Sequence, residues 1–314
     1  MCSAVKTLDE LYREAAQESA APLWPVLGDL SPPQPVPKSV PHVWPYLKMR
    51  PFCEDAARLV GTDLAERRVF ILVNPALIAP YTTDTLYAGL QTILPGEVAR
   101  AHRHTAFALR FIIEGSRGFT AVEGEKVMME RGDLVLTPQM EWHDHGNEGD
   151  TVMIWMDGLD LPLWKTVPVL FTEHYGADRY PSVTRTGPSV LRYPWAEMQE
   201  RLDRVPGPVA EERYQHRASG GEIGATVGAS ALRLDRGAAT SRIRETASSV
   251  YHVFEGSGRT VVGDRVITWT KGDCFAVPAW QHVAHYGDAA DNTYLFRMDD
   301  RPLTRAIGAY RIES

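Results

Sequence analysis

Two stretches decide how this chain is to be read. One is Gly96-Glu-Val-Ala-Arg-Ala-His102-Arg-His104, followed by Gly115. The other is Gly132-Asp-Leu-Val-Leu-Thr-Pro138-Gln-Met-Glu-Trp-His143-Asp-His145-Gly-Asn147. Residues two apart on a strand share a face, so His102 and His104 project together if the first stretch is extended. His143 would come from another strand and close a triangle. A lone histidine here would be better read as a hydrogen-bonded core residue. Three imidazoles in this pattern point to a divalent metal held with open positions for substrate and O₂. Arg110 has the parity of His102 and His104, and its guanidinium beside a metal could grip a carboxylate in a forked geometry; the plainer alternative is a rim arginine paired to Glu114 or Glu97. Gln91 sits among apolar neighbours on a preceding expected strand, a candidate to bind substrate or oxygen unless it is a satisfied buried amide.

Outward from these stretches the chain is β-like, with short apolar runs at 69–72, 90–94, 109–113, 119–122, 134–137 and 152–155 separated by Gly, Pro and Asp turns. The pattern then repeats. Phe111-Ile-Ile-Glu-Gly-Ser, Gly132-Asp133, Pro138 and Trp142-His143 are echoed by Val253-Phe-Glu-Gly-Ser, Gly272-Asp273, Pro278 and Gln281-His282. The Gly-to-Gly steps are 17 and 16 residues, and the Gly-to-Pro step is six in both. Two copies of one small β-barrel are the simplest account. In the second copy the ligand positions hold Ile243 and Glu245, leaving His282 and His285, so no metal is expected there.

Four segments follow. Residues 1–68 read as an N-terminal helix, capped by Thr7 and Glu10, and a proline-rich arm that carries Trp24, Trp44 and Tyr46, with a short helix at 55–60. Residues 69–165 are the metal-binding barrel, 166–222 an inter-domain linker with a helix near Trp195–Leu202, and 223–314 the degenerate second barrel.

Composition sets the outer limits. With 44% hydrophobic and 23% charged residues, the 314-residue chain is that of a soluble globular protein. A formal charge of −7 and no basic run argue against nucleic-acid binding. No apolar stretch is long enough to span a bilayer, and the polar start lacks the core of a signal peptide. Cys2, Cys53 and Cys274 show no paired spacing, as expected of reduced thiols in the cytoplasm.

The spacing of Gly96, His102, His104, Gly115, Gly132, Pro138, His143 and Asn147 resembles the cupin superfamily, which implies jelly-roll barrels. The expected fold is therefore mostly β, two cupin domains behind an N-terminal helical and proline-rich extension. Many metal cupins add a Glu ligand after the second His; Ala108 and Leu109 stand there instead. Such a site keeps more positive charge on its metal and suits an anionic chelating substrate.

The block Leu90-Gln91-Thr-Ile-Leu-Pro95-Gly96-Glu97, with Ala108-Leu-Arg110-Phe111, Trp142 to Asn147, Trp155-Met-Asp157-Gly158-Leu159-Asp160 and the upstream Glu66-Arg67-Arg68-Val69, looks like the gentisate 1,2-dioxygenase family, whose relatives include salicylate and 1-hydroxy-2-naphthoate dioxygenases. The resemblance implies one Fe(II) per subunit on His102, His104 and His143. It implies an aromatic hydroxy-carboxylate chelated through its carboxylate and adjacent hydroxyl, and ring cleavage by O₂ between the carbons that bear those groups. Gln91 and Arg110 match the family's substrate contacts. His145 shares a face with His143 and is a candidate catalytic residue, and Asp157 a candidate to orient His145 or an arginine; for Asp157 the alternative is a turn residue. Either Arg67 or Arg68 would add positive charge. Tyr87-Ala88-Gly89 departs from a commoner Trp followed by two small residues ending in Ala. Tyr87 and Gly89 are thus expected to shape a pocket for salicylates with 5-substituents such as nitro or halogen. A homotetramer is the family's usual assembly. Two other classes remain: a metal cupin of different chemistry, such as an isomerase or decarboxylase, and a non-enzymatic ligand-binding cupin.

Overall fold

The computed structural model describes residues 7–61 and 65–314; Cys2 lies outside them. Two compact units result, one ending at Val36 and the other running from Pro37 to Ser314. In the first, α1 (Leu8–Gln17) opens with the expected capping box, Thr7 and Glu10 each accepting the other's backbone N–H. The Trp24 indole donates to the Tyr12 hydroxyl at 2.8 Å.

The second unit begins with β1 (His42–Trp44) and α3 (Tyr46–Leu59), α2 (Leu27–Leu30) having closed the first. The first barrel then runs through β2 (Arg68–Ile71), β3 (Tyr87–Ile93), β4 (Val98–His104), β5 (Ala108–Glu114), β6 (Ser116–Val122), β7 (Glu125–Glu130), β8 (Leu134–Thr137), β9 (His143–Asn147) and β10 (Met153–Leu159). It continues with α4 (Leu163–Thr166), β11 (Thr172–His174), β12 (Val183–Thr184) and β13 (Arg192–Tyr193). Its two facing sheets have the orders β13-β8-β5-β10-β3-β2 and β11-β4-β9-β6-β7-β12. After α5 (Trp195–Arg204), the second barrel uses β14 (Val209–Arg213), β15 (Gly228–Leu234), β16 (Arg244–Glu245), β17 (Ser249–Glu255), β18 (Ser257–Val262), β19 (Arg265–Thr270), β20 (Cys274–Val277), β21 (Val283–Gly287) and β22 (Thr293–Asp299). Here the sheet β1-β20-β17-β22-β15-β14 faces β19-β18-β21. The mostly β, two-barrel expectation holds.

The repeated glycines mark turns that only glycine enters without strain: Gly115, Gly132, Gly256 and Gly272 have φ of 90°, 88°, 89° and 94°. The repeated aspartates tie those turns and anchor something from outside. Asp133 accepts from the Glu130 N–H and from Arg192. Asp273 accepts from the Thr270 N–H and from the N–H of Tyr46 at the start of α3.

Two expectations about segments change here. The arm is not confined to an N-terminal domain: β1 pairs antiparallel with β20 of the second barrel, and α3 reaches the first barrel through Tyr46 and Arg50, both of which donate to Glu114. Its helix spans Tyr46–Leu59 rather than 55–60 because Pro51 falls within it without ending it. Nor is 166–222 a plain linker, since β11 and β13 extend the first barrel and β14 the second. Strands this short carry too little period-two signal to be seen in sequence.

The barrels meet through the outer face of the β3-β10-β5 sheet. Phe111 stacks on Phe296 with centroids 4.2 Å apart, and Trp195 packs on Phe254 at 4.1 Å. Leu109, Phe111 and Ile113 point to this seam, so Arg110 and Ile112 point to the barrel interior. The seam is tight: a Cβ on Gly158 would lie 2.1 Å from Met298 Sδ. Gly158→Ala should therefore overpack it and cost about 1–3 kcal/mol, read as a lower denaturant midpoint at unchanged slope. An unshifted midpoint would show that the seam yields freely.

Candidate metal centre and substrate pocket

His102 and His104 lie at the end of β4, just past a β-bulge, and His143 opens β9 directly opposite His102. A nitrogen of each falls within 4.8 Å of the others, and all three rings are inside the barrel. Each Nδ1 sits on a backbone carbonyl: His102 on Arg100 at 3.0 Å, His104 on Ala106 at 2.8 Å and His143 on Glu141 at 2.8 Å. A carbonyl only accepts, so each Nδ1 carries the proton and each Nε2 keeps its lone pair. That is the tautomer and orientation a metal ligand needs. Burial holds all three rings neutral: His102 is pushed down to about 2, with Arg67 adding to burial, His104 to about 4, and His143 well below its usual range. His143 Nε2 is buried with no partner. The donor set fits a divalent metal.

A pocket of about 220 Å³ opens on His102 and His104, and it brings together Arg67, Tyr87, Gln91, Arg110 and Asp157. β4 and β5 are separate strands rather than one, yet Arg110 still faces inward. Its guanidinium contacts Thr137, meets His145 Nε2 at 2.9 Å and approaches Asp157 Oδ1 at 3.3 Å through Nε. That last approach is a charge contact and not an aligned hydrogen bond, since Arg110 Nε has no hydrogen-bond partner. Burial draws Arg110 down to about 10, against the pull of Asp157, so it is charged at neutral pH. Asp157 accepts from Trp155 Nε1 at 2.9 Å. Burial raises its carboxyl, while Arg110, Trp155 and Arg67 oppose the rise. It lies within β10 rather than in a turn, and it faces Arg110 rather than His145.

His145 does not reach into open space. Its Nε2 accepts from Arg110 and its Nδ1 lies 3.1 Å from Thr120 Oγ1. Of the two neighbouring arginines, Arg67 lines the pocket and touches the His102 ring. Arg68 does not: a neighbouring strand residue points to the other face, where Arg68 pairs with Glu97 and donates to the carbonyls of Ala57 and Val60. Nor is the space over Gly89 vacant. A methyl there would lie 2.7 Å from the Tyr87 hydroxyl and 2.6 Å from Val69 Cγ1, so Tyr87 already fills the room the glycine leaves. Leu161, Leu170 and Thr172 complete the wall. Leu170 and Thr172 come from the segment expected to be linker and Leu161 from the end of the expected barrel segment, and nothing in their local pattern marks them.

The likeness to known proteins follows these residues. The cupin domain model matches residues 89–159. Gentisate 1,2-dioxygenase 1 of Aquipseudomonas alcaligenes is 35% identical, over 98% of this chain and 96% of its own. A 1-hydroxy-2-naphthoate 1,2-dioxygenase of a Nocardioides species is 33% identical, over 96% and 86%. The crystal structure of salicylate 1,2-dioxygenase from Pseudaminobacter salicylatoxidans superposes with a TM-score of 0.90 at 32% identity, covering 100% of this chain and 99% of that one. Likeness of this extent, carried by both barrels, places the chain in the gentisate and salicylate 1,2-dioxygenase family of two-cupin enzymes.

Proposed function

We propose that the protein is an Fe(II)-dependent dioxygenase that opens gentisate or another 5-substituted salicylate between the carboxyl-bearing and hydroxyl-bearing carbons. Salicylate, 5-nitro- and 5-halosalicylates and 1-hydroxy-2-naphthoate belong to the same range. One observation carries this reading: buried atoms without partners lie on the histidine trio and on the pocket beside it, the lone pair of His143 Nε2 in the trio and the N–H groups of Arg67 Nε and Arg110 Nε among the residues of the pocket. An acceptor for a cation beside donors for an anion suits a metal chelated by a carboxylate. The named substrates of the relatives, all hydroxylated aromatic acids, support it. Held by His102, His104 and His143, iron(II) would supply O₂ binding and a Lewis-acid anchor for carboxylate and hydroxyl.

The chain's own groups then have distinct tasks. Arg110 meets the carboxylate, and His145, Thr137 and Asp157 fix its plane before substrate arrives. Arg67 contacts the His102 ring and lines the pocket beside it, where its charge would face an anionic substrate. Gln91 offers an amide from β3. Leu159, Leu161 and Leu170 keep water from the reacting ring. Tyr87, seated over Gly89, bounds the ring and sets which 5-substituent fits. We also infer a homo-oligomer, supported by the exposed Leu23, Trp24, Leu27 and Leu30 of the first unit, and a cytoplasmic setting, supported by free Cys53 and Cys274. No helix among the described residues is long and apolar enough to cross a membrane.

Oxygen uptake by anaerobically Fe(II)-loaded protein, given gentisate, salicylate, 5-nitrosalicylate, 5-chlorosalicylate and 1-hydroxy-2-naphthoate in turn, should show one O₂ consumed per substrate for at least one of them. No uptake despite bound iron would refute the reading. His104→Ala should lose both iron, by metal analysis, and activity. Arg110→Ala should keep its iron and weaken substrate binding by roughly 2–4 kcal/mol; unchanged kinetics would remove Arg110 from the site. Gly89→Ala should push Tyr87 into the pocket and lower kcat/KM more for 5-nitrosalicylate than for salicylate. Equal losses on both would show that Tyr87 does not read the 5-position.

A further inference from the structure

The second barrel holds a cavity of about 180 Å³ whose surface is mainly apolar, with Val209, Leu232, Ile243, Val277 and Val283 among its walls. Strand registers place it on the frame of the first barrel's pocket. Arg110 opposite Asp157 becomes Tyr251 opposite Arg297, and His102 opposite His143 becomes Ile243 opposite Val283. The third ligand position is therefore Val283, and His282, expected there from spacing, takes the place of Trp142. The metal trio has turned into Ile243, Glu245 and Val283, which hold no metal.

The charges in this cavity are spent on one another. Glu245 accepts from Arg297, Arg301 and Tyr310, and Arg297 also faces Glu211 and Asp299. A charged guest would have to break buried pairs, which is costly. Among the neutral polar groups on the cavity wall, a hydrogen-bond relay singles out one. Trp269 Nε1 donates to Thr260 Oγ1 at 2.8 Å. Thr260 Oγ1 lies 2.8 Å from His285 Nδ1, and in the proton order that runs on from the indole Thr260 is the donor of that pair. The neutral imidazole carries its proton on Nε2, which donates to the Tyr251 hydroxyl at 3.3 Å. The hydrogen of Tyr251 has no acceptor among the described residues, and Tyr251 lines the cavity.

In the first barrel the relay runs the other way. Met129 occupies the register of Trp269, Thr120 donates to Met129 Sδ at 3.3 Å, and His145 Nε2 accepts from Arg110. One exchange, sulfur acceptor for indole donor, reverses the proton order and makes the second barrel end in a free donor.

We propose that the second barrel is a binding site for a neutral, apolar molecule of single-ring size that carries one hydrogen-bond acceptor and takes the Tyr251 O–H. A dry cavity of about 150 Å³ lined by Leu, Ile and Phe holds benzene, so the volume suits one ring. The site is separate from the metal trio and stands whether or not the ring-cleavage reading does.

Titration of the intact, metal-loaded protein with 4-fluoroacetophenone, followed by fluorine NMR, tests this. Saturable binding of one probe per chain is expected. It should weaken about two- to tenfold in Tyr251→Phe and vanish in Val283→Phe, which fills the cavity. It should be unchanged in Arg110→Ala. The anionic 4-fluorobenzoate should not compete. If Val283→Phe fails to fold, Ala247→Leu narrows the same cavity from another wall. Absence of binding, undiminished binding in the cavity-filling variant, or equal competition by 4-fluorobenzoate would overturn the proposal.

Discussion

The molecule depends on one sheet that is buried on both faces. The outer face of β3, β5 and β10 is closed by the second barrel, through Phe111 on Phe296 and Gly158 under Met298. Its inner face carries Gln91, Arg110 and Asp157. A guanidinium on a one-sided sheet would be wet and mobile. Here it is 4% exposed and held from three directions. The low dielectric that makes this burial expensive is what makes an anion's contact with Arg110 strong. The second barrel thus contributes to the first barrel's site without touching it, by keeping water off the back of the strand from which the arginine projects.

The same constraint explains the histidines. Three Nδ1–H to carbonyl bonds fix the rings before any metal is present, so binding one need not order the side chains. The carbonyls belong to Arg100, Ala106 and Glu141, each two residues from its histidine. The bulge in β4 and the turns at 105–107 and 138–142 are therefore working parts of the centre.

Much of this was legible in the chain. Glycine spacing disclosed both barrels because those turns demand positive φ, and period-two parity put His102, His104, Arg110 and Gln91 on inward faces. What escaped depends on partners remote in sequence. Parity separates Arg67 from Arg68 but does not say which one faces in; that is settled by Glu97 across the turn. Gly89 suggested vacancy, whereas Tyr87 two residues before it folds back over the gap. His282 was favoured by chemistry, but the register with Ile243 sets Val283 in the ligand position. Leu161 and Leu170 wall the pocket from a segment with no periodicity, and β1 is three residues among prolines.

That short strand bears on how the chain is made. Val43 pairs with Phe275, and the N–H of Tyr46 is bound by Asp273, so the arm's partners are synthesised long after the arm itself. At a ribosomal pace of about 5–20 residues per second, the arm waits on the order of ten seconds or more. Over that interval the apolar seam face of the first barrel, with Leu109 and Phe111, has no cover. The nascent first barrel is thus a half-built interface, and the arm and second barrel complete it together.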